Sequence, residues 1–190
     1  MSHVVYTTHA LVLGSSQVQD ADKLFWLLTE ELGLVFASAK SVREETSKLR
    51  YALQDLSFVR VSLVRGRGLW RITGAEEAQA QELTMDAAKT FGRVATLVRR
   101  VTPTDEGRSE LFAIVRNARD VFTNNPDKTE LIESVTVARV LYRLGYLSCT
   151  EQFKGIVDTT EFDEQTFARA ERVAQQLVHD INAGLAESQL

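Results

Sequence analysis

The side chains best suited to chemistry with an anion lie in the stretch LVRGRGLWRI, residues 63–72. A guanidinium binds a phosphate through a planar fork of N–H donors, and this stretch holds three arginines. Arg65, Arg67 and Arg71 are odd-numbered, so on an extended chain they project to one side, and Trp70 projects to the other. For the arginines, phosphate contact and a solvated turn both stay open. For the tryptophan, core packing and base stacking both stay open.

The two glycines of this stretch indicate which kind of backbone carries these side chains. They relieve the strain of a tight reversal, and apolar residues flank them on both sides. The spacing fits neither GxGxxG nor GxxxxGK[ST], the glycine patterns that hold nucleotide phosphates at the start of a helix. The stretch is therefore predicted to be a β-hairpin, and not a nucleotide-binding loop or a disordered Arg-Gly tract.

Residue patterns that support catalysis or metal binding are missing from the sequence. None of the three histidines has a partner at metal-ligand spacing, and the single cysteine, Cys149, forms no intrachain disulfide and lacks a neighbouring base. The adjacent glutamates at 30–31, 44–45 and 76–77 point in different directions on a strand or a helix, which makes them poor acid–base pairs. We therefore expect no enzymatic activity, no metal and no cofactor.

Positive charge is concentrated in one window of an acidic protein. The chain carries a net charge of −4, but residues 40–71 hold eight Lys and Arg against three Asp and Glu. The net charge is +2 for residues 1–75 and −6 for residues 76–190. Such a window suits an anionic partner, although an uneven scatter of surface charge explains it equally well. The predicted phosphate-binding residues are Lys40, Arg43, Lys48, Arg50, Arg65, Arg67 and Arg71.

The composition is that of an ordinary globular protein, with 44% hydrophobic and 25% charged residues among 190. The start of the chain lacks the basic segment and uninterrupted apolar run of a secretory signal. No stretch approaches the roughly 18 apolar residues of a membrane helix. Together with the single cysteine, these features predict a reducing compartment and a cytoplasmic location.

The first 75 residues show the pattern of short strands, with Val, Tyr and Thr or with alternating apolar positions. Strands are predicted over 3–15, 33–42, 56–65 and 69–76. The first of them is expected to end at Gly14. The segment 20–33 stays ambiguous, because its residue types suit a helix while its alternation suits a strand with Gly33 in the following turn. Short strands separated by glycine-containing turns indicate a small barrel or meander.

From residue 76 onward, apolar residues recur near every 3.6 positions, the period of an amphipathic helix. Helices are predicted over 76–101, 102–122, 124–147 and 163–185. The second is expected to begin at Thr102 or Thr104, which suit an N-cap, and the third to end at Gly145. The change of pattern predicts two domains, residues 1–78 and 79–190.

Several of these segments together resemble the N-terminal domain of the RecO family of bacterial recombination mediators. The resemblance covers about residues 10–77 and rests on the order and spacing of ALVLGSS, DADKLFWLLTEELGLVFASAKSVR and SKLRYALQDLSFVRVSLVRGRGLWRI. The segment ARVLYRLGYL, residues 138–147, is similar to a helix of the family's α-helical domain. The resemblance implies an α+β multidomain protein, a five-stranded OB-fold β-barrel followed by an all-α helical bundle. It also implies that 23–31 is a strand.

The family resemblance implies a non-enzymatic mediator of DNA repair and recombination. Such a protein binds single- and double-stranded DNA, anneals strands and, with RecR, helps to load RecA onto DNA coated by single-strand-binding protein. The expected partners are therefore DNA, RecR and the acidic, apolar C-terminal tail of single-strand-binding protein, with no membrane and a location at the nucleoid. The tail docks on the helical domain, where Arg139 and Arg143 are the candidate basic patch.

Two departures from the family pattern bear on these expectations. After the Leu-Gly-Tyr helix the chain continues LSCTEQFKGIVDTTEF where many members carry a cysteine-rich zinc module, so no zinc site is expected. Glu44 and Glu45 lie in a turn that is more basic in the family. Two alternatives stay open, an interaction adaptor whose OB-fold no longer binds DNA and an RNA-binding OB protein.

Overall fold

The computed structural model describes residues 4–18, 22–40, 42, 47–66, 68–79 and 82–187, with the backbone alone for Lys48 and Glu187. The chain divides into two compact units. The first takes the residues up to 81 together with Pro103–Phe112, and the second takes Glu82–Thr102 together with the residues from Ala113 onward. The first unit is therefore discontinuous in sequence.

Five strands in the described part of the first unit form a closed barrel in the order β1-β2-β3-β5-β4. They are β1 Val5–Gln17, β2 Lys23–Thr29, β3 Gly33–Ala39, β4 Phe58–Arg65 and β5 Trp70–Glu77. Neighbouring strands are antiparallel except β3 and β5, which pair in parallel and close the barrel. This is the five-stranded OB-type barrel that the sequence predicts.

The barrel interior is filled by the inward-facing half of each strand. Val12 of β1, Leu27 of β2 and Val35 of β3 are neighbours across the sheet and are fully buried. A short helix that was not predicted from the sequence, α1 (Lys48–Ala52), lies between β3 and β4, and Leu53 after it joins the same core. Because side chains alternate along a strand, this core fixes which residues of the barrel face outwards.

The described part of the ambiguous segment 20–33 forms strand β2 and a turn into β3. Leu27 pairs with both β1 and β3, so tertiary pairing outweighs the local preference for a helix. Gly33 supplies the positive φ of 71° at the turn. The Oγ1 of Thr29 donates a hydrogen bond to the Gly33 carbonyl oxygen at 2.8 Å. The strand interpretation is therefore confirmed.

β1 continues beyond Gly14, so the prediction that it ends there is wrong. Its pairing with β2 shifts register between Val12 and Gly14, which marks a β-bulge, and Gly14 has a φ of 148°. The glycine bends the strand instead of ending it. As a result, the first half of β1 pairs with β4 and the second half with β2.

Helices make up most of the chain after the barrel. They are α2 Met85–Val101, α3 Ser109–Asn124, α4 Thr129–Leu144, α5 Glu164–Arg172 and α6 Ala174–Glu187. Val135, Leu141 and Leu177 are buried in the core of the second unit. α4 ends, as predicted, at Gly145, which has the left-handed φ of 85°. No helix in the described ranges is long and apolar enough to cross a membrane.

Three helix starts differ from the prediction. α4 begins at Thr129 and not at 124, because the 3₁₀ turn Pro126–Lys128 precedes it. α2 begins at Met85 and not at 76, because β5 runs to Glu77 and the hydroxyl of Thr84 caps the helix by accepting the N–H of Ala87. α3 begins at Ser109, not at Thr102 or Thr104. The backbone of the intervening segment is engaged elsewhere, since Thr104 forms a parallel β-bridge with Leu34.

The predicted helix over 163–185 is two helices, α5 and α6. Val173, between them, leaves helical geometry with a φ of −117°, and its N–H donates to the Ala170 carbonyl oxygen only three residues back. Asp163 caps the start of α5, where its carboxylate accepts the N–H of Thr166 at 2.7 Å. Hydrogen bonds from the backbone and the side chain of Thr166 lower the pKa of Asp163.

Candidate nucleic-acid interface

The arginine-rich stretch forms the hairpin between β4 and β5, as predicted. Arg65, the last residue of β4, pairs with Trp70, the first residue of β5. Across the turn, the N–H of Gly66 donates to the carbonyl oxygen of Leu69 at 3.1 Å. Arg67 lies outside the described residues.

The hairpin places its two described arginines on opposite sides of the sheet, so the prediction that they project to one side is wrong. Residues paired across two strands share a side, and Arg65 is paired with Trp70 while Val64 is paired with Arg71. Four residues turn the chain between these strands, so an odd-numbered residue on β4 faces the same way as an even-numbered residue on β5. The assumption of a continuously extended chain fails at this turn.

Trp70 is a core residue of the barrel, with only 5% of its surface exposed. Its Nε1 donates a hydrogen bond to Oδ1 of Asp105 at 2.8 Å. Tyr6 contacts the ring edge-on, with centroids 5.4 Å apart, and the guanidinium carbon of Arg65 lies 4.9 Å from the ring centroid. These contacts cover the indole, so Trp70 packs in the core and base stacking requires a different aromatic residue.

The outer surface of β2, β3 and β5 carries two aromatic residues near an exposed arginine. Trp26 and Phe36 are half-buried cross-strand partners whose ring centroids lie 4.9 Å apart. Ser38 pairs with Arg71 on the same surface. We call these four residues the β2–β3–β5 face; their strand neighbours point into the core. In OB-folds, the strand 2–3 surface and the loops beside it bind oligonucleotides.

Trp26 and Phe36 are not among the binding residues predicted from the sequence. The signal was present, because the alternation of β2 and β3 places both outside the barrel once 23–31 is accepted as a strand. Charge alone directed attention to the arginines. Among these, Arg71 lies on the β2–β3–β5 face and Arg65 lies at its edge.

A shallow depression of about 360 Å³ lies at the hairpin end of this face. It is lined by Ser38, Val64, Arg65, Leu69 and Arg71 together with the two hairpin glycines. The two arginines thus border one hollow although they belong to opposite sides of the sheet. Its size and its cationic rim suit a sugar-phosphate unit.

Two other predicted phosphate-binding residues, Arg50 and Lys40, are described by the structure and do not line this depression. Arg50, exposed on α1, lines a separate hollow of about 380 Å³ with Lys23, which the window from residue 40 had left out. Tyr51, beside it, is 73% exposed. Lys40 is exposed at the end of β3. Arg43 and the side chain of Lys48 lie outside the described residues.

Arg139 is fully buried in the second unit, so the predicted surface patch with Arg143 is not formed. Its Nε donates to the carbonyl oxygen of Ile156 and its Nη2 to that of Glu161, both at 2.7 Å. Its guanidinium carbon lies 4.2 Å from the ring centroid of Phe162. The side chain therefore organises the loop that follows α4, and a partner cannot reach it.

Burial also changes the acidity of this arginine. Desolvation lowers the pKa of Arg139 to about 10, although neighbouring carboxylates, with Asp163 the largest contributor, oppose the shift. Arg143 is half-buried, and its Nη2 donates to the carbonyl oxygen of Asp158 at 3.3 Å. The i, i+4 spacing correctly predicts that the two arginines lie on one face of α4. The loop that follows α4 covers that face.

An apolar groove of about 240 Å³ lies in the second unit between α2, α4 and α6. Leu97, Val137 and Ile181 line it. At its edge, Nε and Nη2 of Arg93 donate to the two carboxylate oxygens of Glu133 at 2.7 and 2.5 Å, and this bond raises the pKa of Arg93. The groove combines an apolar floor with the Arg93–Glu133 ion pair, so an apolar, acidic peptide fits it when a carboxylate of the peptide replaces Glu133 at the guanidinium.

Cys149 is exposed. Among the residues that the structure describes, no group of three or more His, Cys, Asp or Glu side chains is placed to hold a metal ion.

The barrel part of the chain matches a known protein family. Residues 1–80 match the family described as Recombination protein O N terminal. The DNA repair protein RecO of Heliobacterium modesticaldum is 33% identical over 145 residues, which cover 75% of this chain and 52% of that protein. The RecO of Clostridium novyi is 36% identical over 145 residues, covering 75% and 57%.

The similarity extends into the helical half of the chain. The RecO of Dehalococcoides mccartyi is 25% identical over 166 residues, covering 83% of this chain and 64% of that protein. The chain thus matches between about half and two thirds of the length of these three relatives. Through residues 1–80 the chain belongs to the RecO family, whose matched members are named DNA repair proteins.

Proposed function

We propose that this protein is a non-enzymatic recombination mediator that binds single-stranded DNA on the β2–β3–β5 face and at the adjoining hairpin. The main support for this proposal is the pair Trp26 and Phe36. Both are half-buried on the strand 2–3 surface of an OB-type barrel, close to Arg71. A base stacked on an aromatic ring contributes about 1–3 kcal/mol, and basic side chains bind the phosphates between bases.

The family context supplies the wider role in this proposal. With RecR, the protein anneals complementary strands and helps to load RecA onto DNA coated by single-strand-binding protein, and duplex DNA binds the same basic hairpin through its phosphates. At about 0.1 M salt, charges more than ~10 Å from a phosphate are largely screened, so the basic residues beside the face dominate locally.

Titration of a labelled single-stranded oligonucleotide at several salt concentrations tests the proposal. If Lys40, Arg50, Arg65 and Arg71 each bind one phosphate, the slope of log K against log salt is about −2.8, at about 0.7 per phosphate. Arg71→Ala should weaken binding to all sequences and flatten the slope by about 0.7. Absence of binding at low salt, or a slope near zero, would contradict the proposal.

A matched control separates this site from general positive charge. Arg60 is an exposed barrel arginine on β4, paired with Glu76 at 3.5 Å, and it is not part of the face. Arg60→Ala removes the same charge as Arg71→Ala but should leave the affinity within about twofold of wild type. Equal losses in the two variants would indicate non-specific attraction to the barrel.

A second candidate function, an interaction adaptor, is favoured by the apolar groove in the second unit. Its floor and Arg93 suit the acidic, apolar tail of single-strand-binding protein. Binding of a synthetic tail peptide, lost in Leu97→Asp, without any oligonucleotide binding would favour this function over the first. Competition between RNA and DNA strands of equal length addresses the RNA-binding alternative, because phosphate contacts do not distinguish the sugars.

A further inference from the structure

One carboxylate joins both paired residues at the base of the arginine-rich hairpin. Oδ1 of Asp105 accepts the Nε1 hydrogen of Trp70 at 2.8 Å, and its Oδ2 accepts a hydrogen from Nη2 of Arg65 at 3.1 Å. Arg65 also lies over the Trp70 ring. Asp105 belongs to the segment Pro103–Phe112, which is part of the first unit. Asp105 therefore already forms an ion pair with Arg65, which the proposed function assigns to a phosphate of the bound strand.

The backbone holds this carboxylate in position. The N–H of Asp105 donates to the carbonyl oxygen of Leu34 at 2.9 Å, and Thr104 bridges to the same residue. Asp105 has a φ of 59°, a left-handed conformation that aspartate tolerates better than most side chains. Next to it, the backbone of Glu106 passes so close to Gly33 that any β-carbon there would overlap it. The backbone thus fixes the position of Asp105 beside Arg65.

The ion pair is nevertheless open to exchange. The side chain of Arg65 is 59% exposed and that of Asp105 is 41% exposed. A phosphodiester offers the guanidinium the same kind of charged oxygen acceptors as a carboxylate does. An exposed ion pair of this kind contributes little stability, so a strand bound at the hairpin can displace it.

We propose that Asp105 is an internal counter-ion of Arg65 that a backbone phosphate of the bound strand displaces, and that it thereby limits the affinity of the hairpin for nucleic acid. This inference rests on the proposed function and specifies how its site is regulated. The carboxylate keeps Arg65 ordered and partly neutralised in the free protein. It also repels a phosphate that is held nearby by Arg71.

Asp105→Asn tests the inference, because an asparagine retains an acceptor for Trp70 but removes the charge that faces Arg65. The variant should bind a single-stranded oligonucleotide about threefold to tenfold more tightly than wild type at low salt. Its salt slope should stay close to that of wild type, since Arg65 binds one phosphate in both proteins and only the competing carboxylate is removed. Unchanged or weaker binding would overturn the inference.

The matched control is Glu106→Gln, which changes the net charge equally one residue away. Glu106 pairs with Arg108 at 3.0 Å and not with the hairpin, so this variant should bind like wild type. In an Arg65→Ala background, Asp105→Asn should have no effect beyond that of Glu106→Gln. An equal gain in both backgrounds would mean that general charge, and not the pair, is responsible.

Asp105→Gly provides a second variant, because glycine adopts the left-handed conformation without strain. It should bind more tightly than wild type, as Asp105→Asn does; no gain in either variant overturns the inference. The two proposals fail differently. If wild type binds no oligonucleotide at low salt, the proposed function fails. If wild type binds with the expected salt slope and both Asp105 variants match it, only the counter-ion role fails.

Discussion

At the scale of single residues, the two tryptophans of the chain have different surroundings. Trp26 is half-buried on the β2–β3–β5 face, and Trp70 is covered by Tyr6, Arg65 and the barrel core. The proposed function engages only the first of them. The indoles therefore offer a way to locate the bound strand without an external label.

In the variant Trp70→Phe, the remaining indole of Trp26 should be quenched when an oligonucleotide stacks on it. In Trp26→Phe, the remaining indole of Trp70 should change little, because 5% exposure leaves no room for a base. The measurement is the tryptophan fluorescence intensity of each variant while the oligonucleotide is added. Equal quenching in both variants would contradict the assignment of the face.

The buried hydrogen bonds of Arg139 lead to a prediction about the stability of the fold. Arg139→Ala leaves the buried carbonyl oxygen of Ile156 and the partly buried one of Glu161 without their donor, and should lower the free energy of unfolding by about 3–5 kcal/mol. Urea denaturation measures this loss. Arg143→Ala, which removes a longer bond from a half-buried side chain, should lose about 1 kcal/mol or less. Similar losses in the two variants would mean that Arg139 is not the organiser of the loop.

The role of Arg139 could not be predicted from the sequence. A period of 3.6 residues assigns it to a face of α4 together with Arg143, and that assignment is correct. Whether a loop covers the face depends on the path of residues 151–163, which contain no long periodic segment. Trp70, by contrast, stands in an alternating strand, and core packing was one of the two interpretations that the sequence left open.

At the scale of elements, the β2–β3 turn depends on one glycine. A β-carbon at Gly33 would lie 1.8 Å from the carbonyl oxygen of Glu106, and Gly33 itself has a φ of 71°. Gly33→Ala should therefore lower the free energy of unfolding by about 2–4 kcal/mol, from backbone strain and overlap together.

Gly145 is the matched comparison for this prediction. It also has a positive φ, 85°, but no atom lies within 4 Å of the position of a β-carbon. Gly145→Ala should lose only the conformational part, about 1 kcal/mol. Guanidinium denaturation of both variants measures the difference. If Gly145→Ala is as damaging as Gly33→Ala, overlap with Glu106 is not what matters.

The sequence predicts an element correctly where local residue patterns determine its structure. It fails where pairing with a segment distant in the sequence determines the structure. Alternation predicted β4 and β5, and glycine predicted the end of α4. The strand over 23–29 required the family resemblance, because pairing with β1 and β3 overrides its helix propensity. The segment 102–108 was wrongly predicted as helical, because its caps and acidic residues suit a helix start while its backbone bonds to Leu34.

At the scale of the whole molecule, the charge distribution predicts how salt acts on binding kinetics. The net charge of −4 repels a nucleic acid at long range, whereas the basic residues beside the face attract it at short range. The association rate constant should therefore vary by less than about threefold between about 50 and 200 mM salt. The dissociation rate constant should carry most of the loss of affinity.

Stopped-flow mixing with a labelled oligonucleotide measures both rate constants. A fall in the association rate that matches the fall in affinity would indicate long-range steering, which an acidic protein should not provide. Arg71→Ala should raise the dissociation rate constant while leaving the association rate constant nearly unchanged, and Arg60→Ala should alter neither.

The discontinuity of the first unit limits how this protein can be divided. The segment Pro103–Phe112 supplies the acceptor for Trp70 Nε1 and the backbone that packs against Gly33, yet α2 separates it from the strands along the chain. A fragment that stops before residue 103 would leave a buried indole N–H without its partner. A gene fusion or exchange that transfers only the strands would therefore move an incomplete folding unit. A transferred segment contains the complete first unit only if it runs to Phe112 and so includes α2.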